Sequence, residues 1–258
     1  MSPSAPTGIA FNGTTDFQLA TGKQAFYLFA TEDGTISGWN PTVNATNAII
    51  KVNAPGSLFK GIAIGRMNAR NVVYAANFSN GTVDVFDESF RTVPLNSGVF
   101  QDSLLPPGFA PFNVQNVDGS IFVTFAMQNE DKEDDIAGPG LGYVDKFTPE
   151  GALLMRLDHG RWMNAPWAVV HAPGNFGKLS QQLLVVQFGS GQIAAFDAES
   201  GKFQGMMESP DGNPVTIEGL WGLNFGNGAS AGPQNMLYFA AGITGERHGL
   251  FGTLAPQQ

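Results

Sequence analysis

Val72–Asp87 reads VVYAANFSNGTVDVFD. An apolar run closes on small residues, a polar turn follows, and Gly81 opens a second run. In Thr82-Val83-Asp84-Val85 apolar and polar side chains alternate with period 2, the pattern of a half-buried strand and not of a helix. The phrase returns along the chain. Leu183–Asp197 reads LLVVQFGSGQIAAFD, and Phe26–Asn40 reads FYLFATEDGTISGWN. Looser copies are led by Gly142 and Gly249, so that Gly34, Gly81, Gly142, Gly191 and Gly249 mark five units. A period of about 50 residues is that of a solenoid or propeller.

Each unit divides into four short strands. The first opens on a small-aromatic or small-aliphatic pair: Gly8-Ile9, Gly61-Ile62, Pro111-Phe112, Pro166-Trp167 and Leu220-Trp221. The second is the apolar run, the third follows the marker Gly, and the fourth is short and variable, as in Ala152–Leu157 and Lys202–Met206. Four antiparallel strands repeated radially make a β-propeller, which protects strand edges by stacking blades around a channel. The expected fold is therefore all-β, one propeller domain over residues 1–258, with five repeats visible. Closure as a five-bladed ring and a six-bladed ring lacking or completing one blade both satisfy the pattern.

The formal net charge of −9 and a pI near 4.7 exclude a nucleic-acid surface, because phosphates require a basic one. Charged residues make up 14%, so Asn, Gln, Ser, Thr and Gly must finish the surface, a composition in keeping with a secreted protein. No apolar run reaches transmembrane length and no leader-like segment follows Met1. With no Cys, thiolate catalysis and Cys-ligated metals are excluded. Phe 21 against Tyr 4 and Trp 4 supplies bulky wedges for packing sheet on sheet. There is no G-x-S-x-G elbow, no H-E-x-x-H and no phosphate loop.

Propeller geometry brings the loops after each second strand and before each first strand to one face. Those loops hold Glu32, Asn77, Gln187, Glu218 and Glu246, together with His159, Arg161 and His248, and the expectation is that these converge at the channel mouth. His159-Gly160-Arg161-Trp162 and Glu246-Arg247-His248 each combine imidazole and guanidinium in a short loop, a set able to move a proton or hold an oxyanion. Local ion pairing and backbone satisfaction explain the same residues equally simply. Glu218 enters an innermost strand, and a buried Glu needs a partner, which makes it a catalytic candidate with His248, His159 and Arg161. Trp162, Trp167 and Trp221, with Asn77, Gln187 and Arg247, are the expected ligand-binding set, although Trp also serves blade packing. The acidic loop Asn129–Gly140 lacks EF-hand spacing, and a solvated charge run is its commoner reading. Asp134 and Asp135 within it, with Glu32 and Glu246, are the carboxylates offered to a hard cation such as Ca²⁺.

FATEDGTISGWNP from Phe29, APFNVQNVDG from Ala110, DDIAGPGLGYVDKF from Asp134, NAPWAVV from Asn164, IEGLWGLNFGNG from Ile217 and ERHGLFGTL from Glu246 together resemble one family. It is a group of largely uncharacterised β-propeller proteins known from bacteria, where many carry a PEP-CTERM sorting tail, and from fungi. The resemblance implies a propeller and no particular activity. Its members begin with an additional N-terminal segment bearing another Asn-Pro-Trp-type strand. That segment is missing here, which implies either five-blade closure or completion by a second chain. The expected function is a propeller that binds a small molecule, a glycan or a protein at its channel mouth. The alternative is a cofactor-free or Ca-assisted enzyme on a small apolar substrate, acting by lactone hydrolysis, isomerisation or cyclisation. A third reading is a subunit of a surface layer or oligomer.

Overall fold

The structure is a computed structural model, and it describes residues 5–256. The opening residues 1–4, where a leader would begin, lie outside that range. Five blade sheets follow one another along the chain, and a two-stranded hairpin, Gln18–Ala20 with Lys23–Gln24, is inserted between the first two strands of the first blade. Blade I comprises Pro6–Phe11, Tyr27–Thr31, Thr35–Trp39 and Ile49–Asn53. Blade II comprises Phe59–Met67, Arg70–Asn77 and Thr82–Phe86. Blade III comprises Phe109–Val117, Ser120–Gln128, Tyr143–Phe147 and Leu153–Arg156, with the short strand Asp135–Ile136 beside its second. Blade IV comprises Pro166–His171, Gln182–Gln187, Gln192–Asp197 and Phe203–Met206. Blade V comprises Leu220–Phe225, Leu237–Gly242 and His248–Leu254. This is the all-β propeller fold expected of the repeat, with five blades. Ile243–Glu246 has helical hydrogen bonding over one turn, but Thr244 and Gly245 have positive φ, so it is a turn and not a helix.

Each apolar pair expected to open a first strand lies in one. The marker glycines separate into two kinds. Gly34, Gly81 and Gly191 have φ of +75°, +69° and +68° and close tight hairpins, their N–H groups donating to Thr31, Asn77 and Gln187 carbonyls. Gly142 and Gly249 follow longer connections and do not carry positive φ. At Gly142 the demand is space instead, since a Cβ there would meet the Pro166 ring at 2.2 Å.

The chain divides into two compact units, Met1–Asp135 with Lys146–Leu154, and Ile136–Asp145 with Met155–Gln258. In the first, Leu28, Ala30, Ile36 and Val52 of blade I pack on Phe59, Ile62, Val73, Ala75 and Phe86 of blade II. Phe wedges continue the core: Phe59 meets Phe86 edge-on at 6.2 Å, Phe78 meets Phe112 at 5.5 Å, and Phe100 lies between Tyr74 and Phe147. Each fully buried Phe contributes about 1.5–3 kcal/mol relative to exposure. In the second unit Phe176 of the loop after the first blade IV strand meets Phe225 of blade V edge-on at 5.0 Å. Phe86 and Phe147 end their third strands, Phe196 is the last residue but one of its own, and all three are buried, as one repeated position requires.

Candidate functional site

In the first unit two of the sequence-predicted residues, Glu32 and Asp134, meet at a lysine. Lys60, at the start of the innermost strand of blade II, is only 6% exposed. Its Nζ donates to Glu32 Oε1 at 2.5 Å, lies 3.7 Å from Asp134 Oδ1, and sits 5.8 Å above the centre of the Phe78 ring. Desolvating an ammonium is costly unless it is paired, and Glu32 and Asp134 supply the pairing. Two of the carboxylates offered to Ca²⁺ therefore face a resident cation. Asp135 is half-buried at the start of its short strand, and Glu246 belongs to the other unit's set described below. Among the described residues no three His, Cys, Asp or Glu side chains come together as a metal-ligand group, so the residues do not fit the expected Ca²⁺ site.

Asn77 is 1% exposed and its amide is committed. Nδ2 donates to Ser57 Oγ at 3.0 Å and to Asp84 Oδ2 at 2.8 Å, while Oδ1 accepts from Ser79. In the second unit Gln187 occupies the same place in blade IV. It is fully buried, and its Oε1 accepts from the Asn164 N–H at 2.8 Å. Asn164 Oδ1 in turn accepts from the Gly138 N–H at 2.6 Å. Both residues end a second strand and fasten to it the loop that leads into the first strand. Their hydrogen bonds position loops, and neither amide is presented to a ligand.

The second unit carries the aromatic group. Trp221, on the innermost strand of blade V, is half-buried. Phe188 stacks on it at 3.8 Å and 23°, and Trp167, on the innermost strand of blade IV, meets it edge-on at 4.7 Å. The Trp221 indole N–H donates to Glu246 Oε1 at 2.6 Å. Glu218 accepts from the Thr244 and Gly245 N–H groups at 2.8 and 3.3 Å, which fixes the turn that carries Glu246. Glu218 is exposed, not buried as its place before Leu220-Trp221 suggested; its charge stays in water while its oxygen organises the turn. Arg247 and His248 follow on the exposed rim, where the His248 backbone bridges to Ile243. Half-exposed aromatic faces edged by the Glu246 carboxylate can stack an apolar ring face and bond its polar substituents.

His159, Arg161 and Trp162 lie elsewhere. His159 stacks on Tyr143 at 4.3 Å and 10°, and its Nε2 is 2.9 Å from the Gly140 carbonyl. Trp162 stacks on Phe203 at 4.0 Å and 5°, and Asp158 Oδ2 accepts from the Phe203 N–H. Phe203 starts the fourth strand of blade IV, three strands from Trp167, so this loop runs along the blade's outer edge and does not join the Trp221 group. Of the three Trp residues expected in one ligand-binding set, Trp167 and Trp221 meet and Trp162 stacks on Phe203 instead. Two contributors escaped the sequence reading. Phe188 sits in a hairpin turn where an aromatic has no periodic signal, and Lys60 is paired to Glu32 across 28 residues.

No protein-family model matches the chain. Two uncharacterised proteins of Acanthamoeba polyphaga mimivirus are similar to it, one 33% identical over 84% of this chain and one 30% identical over 99%. The chain spans 42% and 64% of the length of these curated relatives. Among solved structures, a gluconolactonase from Xanthomonas campestris superposes with a TM-score of 0.58 at 15% identity, over 92% of this chain and 83% of its own. A chain of a nidogen/laminin complex superposes with a TM-score of 0.55 at 13% identity, over 97% of this chain and 80% of its own. At such identities the likeness is one of fold, and the fold it places this chain in is the β-propeller.

Proposed function

We propose that the chain is a binding propeller whose ligand rests against the Trp221 group of blades IV and V. The observation that supports this most is the half-exposed Trp221–Phe188 stack, held in place by Trp167 and by the Glu246 carboxylate on the indole N–H. Rigid aromatic surface costs little conformational entropy to order, which favours recognition. A net charge of −9, with Glu218 and Glu246 beside the stack, disfavours an anionic ligand. A neutral ring with one apolar face and several hydroxyls, the chemistry of a sugar, matches the aromatic face and the carboxylate acceptors together. The likeness in fold to a gluconolactonase makes lactone hydrolysis the rival.

The test is a glycan array probed with the wild-type chain and with Trp221→Ala, alongside hydrolysis of glucono-1,5-lactone. Retained glycans that are lost in the variant support binding. Lactone turnover that collapses in His248→Ala or Glu218→Gln, with substrate binding preserved, would favour the enzyme.

A further inference from the structure

Blade II has no fourth strand, and the other blades show what that leaves unpaired. Along an antiparallel strand every second residue turns its N–H and C=O to the same edge. On the outer edge of each third strand those residues include the marker glycine and the residue two beyond it. In blade I the Gly34 C=O accepts from the Ala54 N–H at 2.9 Å, and Ile36 pairs with Val52. In blade III Val144 accepts from the Leu157 N–H at 3.0 Å. In blade IV Ile193 accepts from Met207 and Gly191 from Ile217, both at 2.8 Å. The same places in blade II are Gly81 and Val83. Val83 faces Ala76 in a regular ladder, and the Val85 C=O, two residues on, accepts from the Val93 N–H at 2.8 Å, so Val83 shares that outer edge. Among the described residues no hydrogen bond reaches the Gly81 C=O or the outward N–H and C=O of Val83.

The loop that follows does not fill the gap. After Pro94 it runs to blade III, where the Phe100 N–H donates to the Gly151 C=O at 2.9 Å and the Phe100 ring lies between Tyr74 and Phe147. A cavity of about 290 Å³ is left between residues 82–85 and residues 92–101, both walls belonging to the first unit. Val83 is buried, and backbone groups left without a partner there are costly.

We propose that this edge takes an extended peptide of a partner protein as the fourth strand of blade II. An acceptor at Gly81 and a donor and acceptor at Val83, two residues apart, match the backbone of an extended chain, the mode of strand addition to a sheet edge. The chain's own fourth strands give the peptide's chemistry. The residues paired at the Val83 place are Val52, Leu157 and Met207 in blades I, III and IV, and all three are buried. The peptide therefore carries an aliphatic or Met side chain there, and the net charge of −9 disfavours an acidic one. So short a ladder makes a weak, reversible contact. It shares no residue with the Trp221 group.

Fluorescence anisotropy of the 258-residue chain with three labelled peptides tests it, copies of residues 48–54 (AIIKVNA), 153–159 (LLMRLDH) and 203–209 (FQGMMES). At least one should bind saturably. Ser97→Trp puts an indole into the cavity from an exposed loop position, and should weaken binding about tenfold with an unchanged circular dichroism spectrum. N-methylation of the bound copy at Val52, Leu157 or Met207 removes the N–H that Val83 would accept, and should weaken binding by a similar factor. N-methylation one residue later, where the N–H points away from the edge, should leave affinity unchanged. No binding by any of the three peptides overturns the proposal. So does binding that persists in a folded Ser97→Trp protein, or that is indifferent to which N–H is methylated, since that is apolar adsorption and not strand addition.

Discussion

At the scale of single residues, buried polar groups decide more than exposed ones. Removing Glu32 leaves the Lys60 ammonium in an apolar setting with only the more distant Asp134, whereas Lys60→Met removes the charge and keeps the packing on Phe78. Glu32→Ala should therefore cost about 1–3 kcal/mol in urea unfolding, reduced from the fully buried case because Glu32 is partly exposed, while Lys60→Met should cost less. Tyr74 supplies a pH dependence. Burial, reinforced by the Glu150 carboxylate, raises its phenol above the ordinary value of about 10, and its hydroxyl donates to the Pro149 carbonyl at 2.9 Å. The fold favours the neutral phenol, so this contribution is complete below about pH 10 and is lost as pH rises beyond it toward the higher folded value. Thermal melts between pH 8 and pH 11 should fall less steeply for Tyr74→Phe than for wild type. Residue roles were the least legible part of the sequence. Glu218 and Gln187 attract attention by type and place, yet their oxygens are spent on backbone N–H groups, and only three-dimensional pairing reveals it.

Strands and turns were far more legible, because alternation and turn glycines are local signals. The opening pairs of all five first strands and the tight hairpins at Gly34, Gly81 and Gly191 could be read directly. What could not be read is how each blade ends. Blade II replaces a fourth strand with a single bridge from Phe86 to Thr92, and Pro94 follows without an N–H to continue it. Equivalent glycines also differ in a way the repeat hides. At Gly191 a Cβ would lie 2.2 Å from the Ile217 carbonyl, because the connection to blade V crosses over the turn and bonds to it. At Gly81 nothing lies within 4 Å. Gly81→Ala should cost about 1–2 kcal/mol for the left-handed backbone alone. Gly191→Ala should cost clearly more, since it adds a clash with main chain, and urea midpoints of the two variants compared side by side check the difference.

At the scale of the whole molecule, the propeller blades support the loops that carry the chemistry. The fold was legible because repetition amplifies a weak local pattern five times. The site was legible only in part, since Trp221, Trp167 and Glu246 do meet while Trp162 and His159 take positions of their own. The central claim is that Trp221 is where a ligand rests. It is tested most directly by titration calorimetry of a glycan retained on the array against wild type and Trp221→Ala, with melting curves of both proteins. Loss of a stacking anchor of this kind typically costs about 2 kcal/mol, so affinity should drop by roughly thirtyfold while the variant still unfolds cooperatively. Unchanged affinity in a folded Trp221→Ala protein would contradict the account.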